Sequence, residues 1–368
     1  STGGVVGDQA NKSGMVTDNL GGFQGQSGSS STVNTVGYNR GADGRLTLTD
    51  PGSQTTGNSG LISSTTTANK GAATTSLGTN NARAAFTATN DPDSGVNAFF
   101  GAGSVITAND ASAVASEKIS VRSVAGGGAI GAAAFGAAVS VVTIKSNTQA
   151  YAGVGAEFNL TGNLVIRAEM TSSVSGEGYA GVGGLVALGA QVAVINDASN
   201  QIAFIDDNAK LNSAASVTVE ATSNRYDNAR TAGGQVGTVA AGASISRITA
   251  TGRTEAFIDN GARIDQDGGA TVGNITVRAD HYTKEKAFAI GVAAGIVAGV
   301  GQEASLSLSP VVSARVGDNV QARMAGILTV RANATPELDA EARGYAAGLA
   351  AVGVSLPKTT FNPSVTAS

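Results

Sequence analysis

The feature that most constrains this chain is a unit of about 53 residues repeated five times, because a chain of similar units folds by stacking them. Units start at Ala98 (AFFGAGSVI), Ala150 (AYAGVGAEF), Ala203 (AFIDDNAKL), Ala256 (AFIDNGARI) and Ala314 (ARVGDNVQA), at successive spacings of 52, 53, 53 and 58 residues. A second block follows in each: Ile119–Ser123 (ISVRS), Leu164–Ala168 (LVIRA), Val217–Ala221 (VTVEA), Ile275–Ala279 (ITVRA) and Leu328–Ala332 (LTVRA). Three of these lie 14 residues after their unit start, and the other two imply insertions. A third block is rich in Gly and Ala, as in YAGVGGLVALGAQVAVI and AFAIGVAAGIVAGVG. Each interior Gly would cost a helix about 0.5–1 kcal/mol relative to Ala, so these blocks read as strands. In ISVRS, Ile119 and Val121 share one face while Ser120 and Arg122 share the other, the alternation of a strand.

Short alternating strands separated by turn tripeptides such as Asp206-Asp207-Asn208 and Asp259-Asn260-Gly261 predict an all-β fold, a parallel β-solenoid or β-helix. Two coils per unit are expected, one holding the first two strands and the other the Gly/Ala strand. That makes roughly ten coils and an axis near 50 Å at about 4.8 Å per rung. A five-bladed propeller fits less well, because each unit offers three strands where a blade takes four. The Gly/Ala blocks are apolar on both strand faces, so one face is assigned to the core and the other to a cover, either the N-terminal tract or another subunit.

The solenoid is assigned to residues 98–368. Residues 1–97 differ in composition, with Ser, Thr, Asn and Gly at 55 of 97 positions. Such a tract cannot bury enough apolar area to offset its ordering entropy alone. It is therefore read as an extended segment that docks on its own or a neighbouring solenoid. The chain opens at Ser1 with no charged-then-apolar leader, which reads as a processed protein or a piece of a longer one. The most apolar stretch, residues 125–142, is mainly Gly and Ala, so no membrane insertion is expected.

Composition removes several function classes. The absence of Cys excludes disulfides, Cys-ligated metals and thiol catalysis. A single histidine, His281, excludes a multi-histidine metal centre, and its place in HYTKEKAF suggests an exposed inserted loop. A net charge of −4 supplies no basic field for nucleic acid. No cofactor is implied. The repeat-region acids Asp206, Asp207, Asp259 and Asp318 fall in the recurring turn, where Asp and Asn supply turn geometry, so neither catalysis nor metal binding is assigned to them. Asp265-Gln266-Asp267-Gly268-Gly269 lacks the later bidentate Glu of a calcium loop.

Units of the form A-[FY]-I-x-x-x-A-x-[IV] followed by [IL]-T-V-x-A and a Gly-Ala-Val stretch resemble repeats of very large bacterial surface and secreted proteins, the leukotoxin-like and filamentous-haemagglutinin-like adhesins. The resemblance covers residues 98–368. It implies a right-handed parallel β-helix, an extracellular or cell-surface location and an adhesive or structural role.

Two columns are candidates for self-association or docking. The fourth position of the second block gives Arg122, Arg167, Glu220, Arg278 and Arg331, a solvated face or a basic ladder for acidic glycans or a neighbour's turns. Beside the unit start runs an aromatic column, Phe99, Tyr151, Phe204 and Phe257, ending at Arg315. Stacked aromatics on a solenoid wall serve either as a covered ladder or as a docking stripe. The expectation is a non-enzymatic structural subunit of an extracellular bacterial fibre, sheath or adhesin that polymerises with itself. The alternative is an adhesin or toxin passenger binding host or matrix glycans. A polysaccharide-acting enzyme ranks lower, because no convergent acids are visible.

Overall fold

The computed structural model describes residues 95–264 and 272–368, and the backbone of an antiparallel pair, Tyr38–Arg40 with Leu46–Leu48. The assignment of residues 1–97 as a docking segment therefore falls almost wholly outside the described residues, as does the Asp265–Gly269 stretch. From Asn97 onward the described residues are all-β, in three parallel sheets whose strands follow one another in every repeat. The six-stranded sheet takes Asn97–Phe100, Asn147–Ala152, Asn200–Ile205, Arg253–Ile258, Val311–Val316 and Ser364–Ala367. The five-stranded sheet takes Val105–Ala108, Glu157–Leu160, Lys210–Ser213, Arg263–Ile264 and Gln321–Ala322. The largest sheet takes Ala111–Ile144, Asn163–Asp197 and Ser216–Ala250, then the split strands Asn274–Ala294 with Val297–Leu308 and Leu328–Ala347 with Ala350–Phe361.

Pairing register corrects the expected coil count. Ala98 stands beside Ala150, Ala150 beside Ala203, Ala203 beside Ala256, and Ala256 beside Ala314, so each repeat is one coil rather than two. The second block and the Gly/Ala block, assigned to different coils from sequence, are one strand of 35 residues in the second and third repeats. The result is a solenoid-like stack of five coils and the start of a sixth, roughly 20–25 Å along the axis at about 4.8 Å per rung.

Each long strand runs out and returns. Ser140 donates through Oγ to the Ser123 carbonyl at 3.1 Å, and the Thr231 and Ser246 hydroxyls lie 3.0 Å apart, so the outgoing and returning arms face one another. Gly and Ala dominate because the walls nearly touch. A Cβ on Gly127 would lie 2.7 Å from the Ala137 carbonyl oxygen, and one on Gly178 would lie 3.1 Å from that of Val192. The bend falls at Gly131, Gly184, Gly237, Gly295 and Gly348, a column in register. There a Cβ on Gly184, Gly237, Gly295 or Gly348 would overlap the carbonyl oxygen of the glycine one coil below. The coil is thus a compact body with a thin wing. The two arms of the wing cover each other on their inner faces, and the cover expected from another segment or subunit concerns their outer faces.

The body core stacks Ala150, Ala203, Ala256 and Ala314 against columns such as Ile166, Val219 and Val277. Each buried Val or Ile stabilises by about 1.5–3 kcal/mol. A second apolar cluster around Ile195, Ile248 and Leu306 fills the inner part of the wing. The turn assignment of the acids agrees with the backbone. Gly103, Gly155, Asn208, Gly261 and Asn319 occupy one turn position with φ between 56° and 68°, a left-handed conformation that Gly and Asn tolerate.

Candidate functional site

On the outer face of the six-stranded sheet, Phe99, Tyr151, Phe204 and Phe257 stack at centroid separations of 5.1, 4.9 and 5.0 Å with interplanar angles of 7°, 9° and 13°. The parallel register brings successive rings to one rung spacing, so the alternation predicted from sequence produces the ladder directly. Arg315 ends it, with its guanidinium 4.1 Å from the Phe257 centroid and a 3.1 Å bond to Asp259. Phe99, 57% exposed, is the open end. Stacking consumes the π faces and leaves ring edges toward solvent. A sugar ring, which packs on an open aromatic face, finds none along the middle of this stripe.

The charged column differs from its sequence version in its first member. Val114, not Arg122, stands in register with Arg167, because the block paired with LVIRA is Ala111–Ala115; no insertion precedes it. Arg122 lies eight residues farther out, beside Ser175, where its Nε donates to Glu177 at 3.0 Å. That bond, helped by the Tyr179 hydroxyl, holds the Glu177 carboxyl down at about 2. In the true column Glu220 sits between Arg167 at 3.1 Å and Arg278 at 3.7 Å, and Arg278 also pairs with Asp280. Glu220 is the counter-charge of the column. The face is close to self-neutralised, with Arg331 exposed at its end.

Three turn carboxylates, Asp206, Asp207 and Asp259, approach within 4.8 Å of one another and are half-buried. Asp206 Oδ1 accepts the Asp207 amide at 2.8 Å and Asp259 Oδ1 accepts the Asn260 amide at 3.1 Å, so local backbone uses one oxygen of each, while Asp207 Oδ1 is buried with no partner among the described residues.

A polar cluster at the junction of body and wing is absent from the sequence reading. His281, expected in an exposed loop, is buried in the middle of Asn274–Ala294, because HYTKEKAF pairs without a gap with residues 223–230. Its Nδ1 lies 3.0 Å from the Thr254 hydroxyl, and burial, with the charge of Arg225, pulls it down to about 3, so it is neutral at pH 7. Arg225 donates to the Ser199 carbonyl at 2.6 Å and the Ser223 hydroxyl at 3.0 Å, and pairs with Asp197 at 3.3 Å, both side chains buried. Asp227 and Glu285, register partners in adjacent coils, are also buried. Among the described residues no donor other than a proton shared between the two carboxyls reaches either Asp227 oxygen or Glu285 Oε2. Burial first, and then neighbouring carboxylates, hold Asp227 well above the usual carboxylate range; burial brings Glu285 up to about 7. Such acids could exchange protons, but burial closes them to a substrate. The alternation in TKEKA was the available signal, since Thr283, Glu285 and Ala287 share the inward face.

Because the Glu285 carboxyl titrates higher folded than unfolded, the folded state binds the extra proton, and stability falls as pH rises from the ordinary carboxylate range to about 7. Glu285→Gln keeps the shape without the charge. Chemical denaturation of both proteins should show the variant gaining on the order of 2–3 kcal/mol relative to wild type between pH 4 and pH 8. A constant difference across that range would mean that Glu285 is not held protonated.

Comparison with protein-family models, curated proteins and solved structures finds no match.

Proposed function

We propose that this chain is a non-enzymatic structural subunit of an extracellular bacterial fibre, sheath or adhesin, assembling by stacking coil edge on coil edge. The observation that supports the reading is the in-register parallel stack, in which each described coil adds to the one before it through main-chain bonds. The last coil's strands Leu328–Ala347 and Ala350–Phe361 are mostly exposed, and Val352, Leu356 and Val365 face solvent there. In the first described coil Phe99, Val105 and Val124 are exposed as well. Open strand edges of parallel coils are templates for further strands, and a head-to-tail contact does not close on itself. The right-handed twist and the adhesin-like character belong to the same proposal, through the resemblance of the repeats. Residues 1–97 are assigned the role of donor segment, a Ser/Thr/Gly-rich strand adding to a neighbour through main-chain bonds.

The glycan-binding alternative draws no support from the aromatic stripe, whose faces are occupied, or from the arginine column, whose middle is paired. The test is negative-stain imaging with light scattering over a concentration series. Filaments of the full chain, and monomers after deletion of residues 1–97, are expected. A full chain that stays monomeric at every concentration would overturn the assembly reading; filaments from the truncated chain would remove the donor role from residues 1–97 alone.

A further inference from the structure

The wing ends in an apolar ridge. At or beside the glycine bend each coil sets at least one large apolar side chain toward solvent: Ile130 at 94% exposure, Leu185 at 64%, Val236, Ile296, and Leu349 at 91%. Their recurrence in five successive coils makes one continuous line rather than scattered surface residues, the pattern that marks an interaction site. The ridge is also free of charge to a defined depth. Counting back from the bend, the nearest charged residue on any outgoing arm is Arg343, five residues before Gly348. On any returning arm it is Glu303, seven residues after Ile296. At about 3.3 Å per residue these are roughly 17 and 23 Å.

Shape and area decide between occupants. Five rungs at about 4.8 Å and two facing sheets about 10 Å apart give a ridge of roughly 200–300 Å². A stable protein contact needs about 800 Å² from each partner, so the tip of the ridge against the tip of a second copy is too small, whereas a lipid leaflet also meets both outer faces of the wing. A convex edge suits a deformable apolar layer instead. The charge-free depth exceeds one leaflet of hydrocarbon, about 15 Å, and falls short of the full core of about 30 Å. At the limit of that depth stand Tyr179 and Phe288, with the Arg230 guanidinium 5.5 Å from the Phe288 ring centroid, an aromatic and basic band of the sort found at a lipid headgroup level. Backbone groups in the inner coils bond from coil to coil, and the Gln191, Gln235 and Gln302 side chains are buried between the two arms, so the inner coils present no unpaired main-chain amide to lipid. No helix among the described residues is long and apolar enough to cross a membrane, and insertion here is by the edge of stacked strands.

We infer that the glycine-bend ridge enters the outer leaflet of a phospholipid bilayer, one leaflet deep. This revises the expectation of no membrane insertion: low hydropathy of the Gly/Ala stretch argues against a spanning segment, but the fold collects the large apolar side chains of five such stretches on one edge. The inference rests on the proposed stacking, which pairs the strand edges of the end coils before they meet lipid; imaging of filaments without flotation separates failure of this inference from failure of that reading.

The test uses the full chain with neutral phosphatidylcholine vesicles at physiological salt. Flotation should recover the protein with the vesicles. The triple variant Leu185→Asp, Ile296→Asp, Leu349→Asp should lose about tenfold or more in partitioning, while Val154→Asp, an exposed change in a turn of the body, should leave it unaltered. The chain has no Trp, so Leu185→Trp is a clean reporter. Its emission should shift to the blue on vesicle addition and be quenched by lipids brominated in the acyl chain, whereas Val154→Trp should respond to neither. Failure of the wild type to float, equal flotation of the triple variant, or a Leu185→Trp signal indifferent to acyl bromine would each overturn the inference. So would loss of a dimer in the triple variant without any vesicle binding by the wild type, which would assign the ridge to a second copy. A matched thermal melt of the triple variant guards against simple unfolding, and the tryptophan readout needs no charged substitution.

Discussion

Gly237→Ala is expected to destabilise the protein by about 2–4 kcal/mol and to lower its Tm by about 5–10 °C, although it adds one methyl group at a surface bend. The added Cβ would overlap the Gly184 carbonyl oxygen of the coil below and approach the Val239 carbonyl oxygen, at 3.2 Å. Backbone cannot rotate out of the way as a side chain can, and here it belongs to the coil-to-coil ladder. Gly234→Ala, three residues earlier on the same arm, meets nothing within 4 Å and should change stability by no more than about 0.5 kcal/mol. Thermal melts of the two variants followed by circular dichroism separate the cause, since composition and strand propensity change identically. Equal Tm values would mean that the bend is not packed glycine on carbonyl.

Arg225→Met should cost about 3–5 kcal/mol at pH 7. The guanidinium is the cation facing Asp197, and its removal leaves that carboxylate buried without its counter-charge, while the Ser199 carbonyl loses its 2.6 Å donor. Methionine fills much of the same volume, so the loss would report charge and hydrogen bonding more than a cavity. Removing both partners together, Arg225→Met with Asp197→Leu, should recover most of the loss, because a buried pair replaced by apolar groups is often neutral. Denaturant midpoints of the single and double variants measure this; a double variant as unstable as the single would show that the pair is not coupled.

Sequence periodicity located the repeat, the strand character of its blocks and the turn position, because these depend on alternation and on residues that tolerate left-handed backbone, as Asn208 and Asn319 do. The aromatic stack was legible for the same reason, since a parallel register carries equal positions into contact. The coil count was not. Whether two strand blocks share a coil depends on where the chain reverses, and the reversal is made by a close approach at Gly184 and Gly237 that looks in sequence like any other Gly-rich stretch. Arg122 was misplaced because ISVRS copies the second-block pattern eight residues beyond ASAVA, the segment that takes that place. The buried cluster was hidden by its chemistry. Arg225, Asp227 and Glu285 alternate with polar outward neighbours such as Asn224, Tyr226 and Lys284, so no apolar face announced that one side was inside.

One coil per repeat is the claim on which the wing, the ridge and the proposed stacking depend, and a chain without cysteine allows it to be tested by cross-linking. Thr171 and Asn224 are register partners 53 residues apart on adjacent strands. Their Cα separation of about 5 Å is within the range a disulfide spans. Thr171→Cys with Asn224→Cys should oxidise readily under mild conditions in the folded protein. Thr171→Cys with Asn196→Cys should not, since Asn196 lies on the opposite outer face of the wing, although a fold with two coils per repeat would place a rung neighbour of Thr171 near that point in the sequence. Bond formation in the first pair alone, seen by mass spectrometry after proteolysis, is the expected result; bond formation in the second pair alone would contradict it.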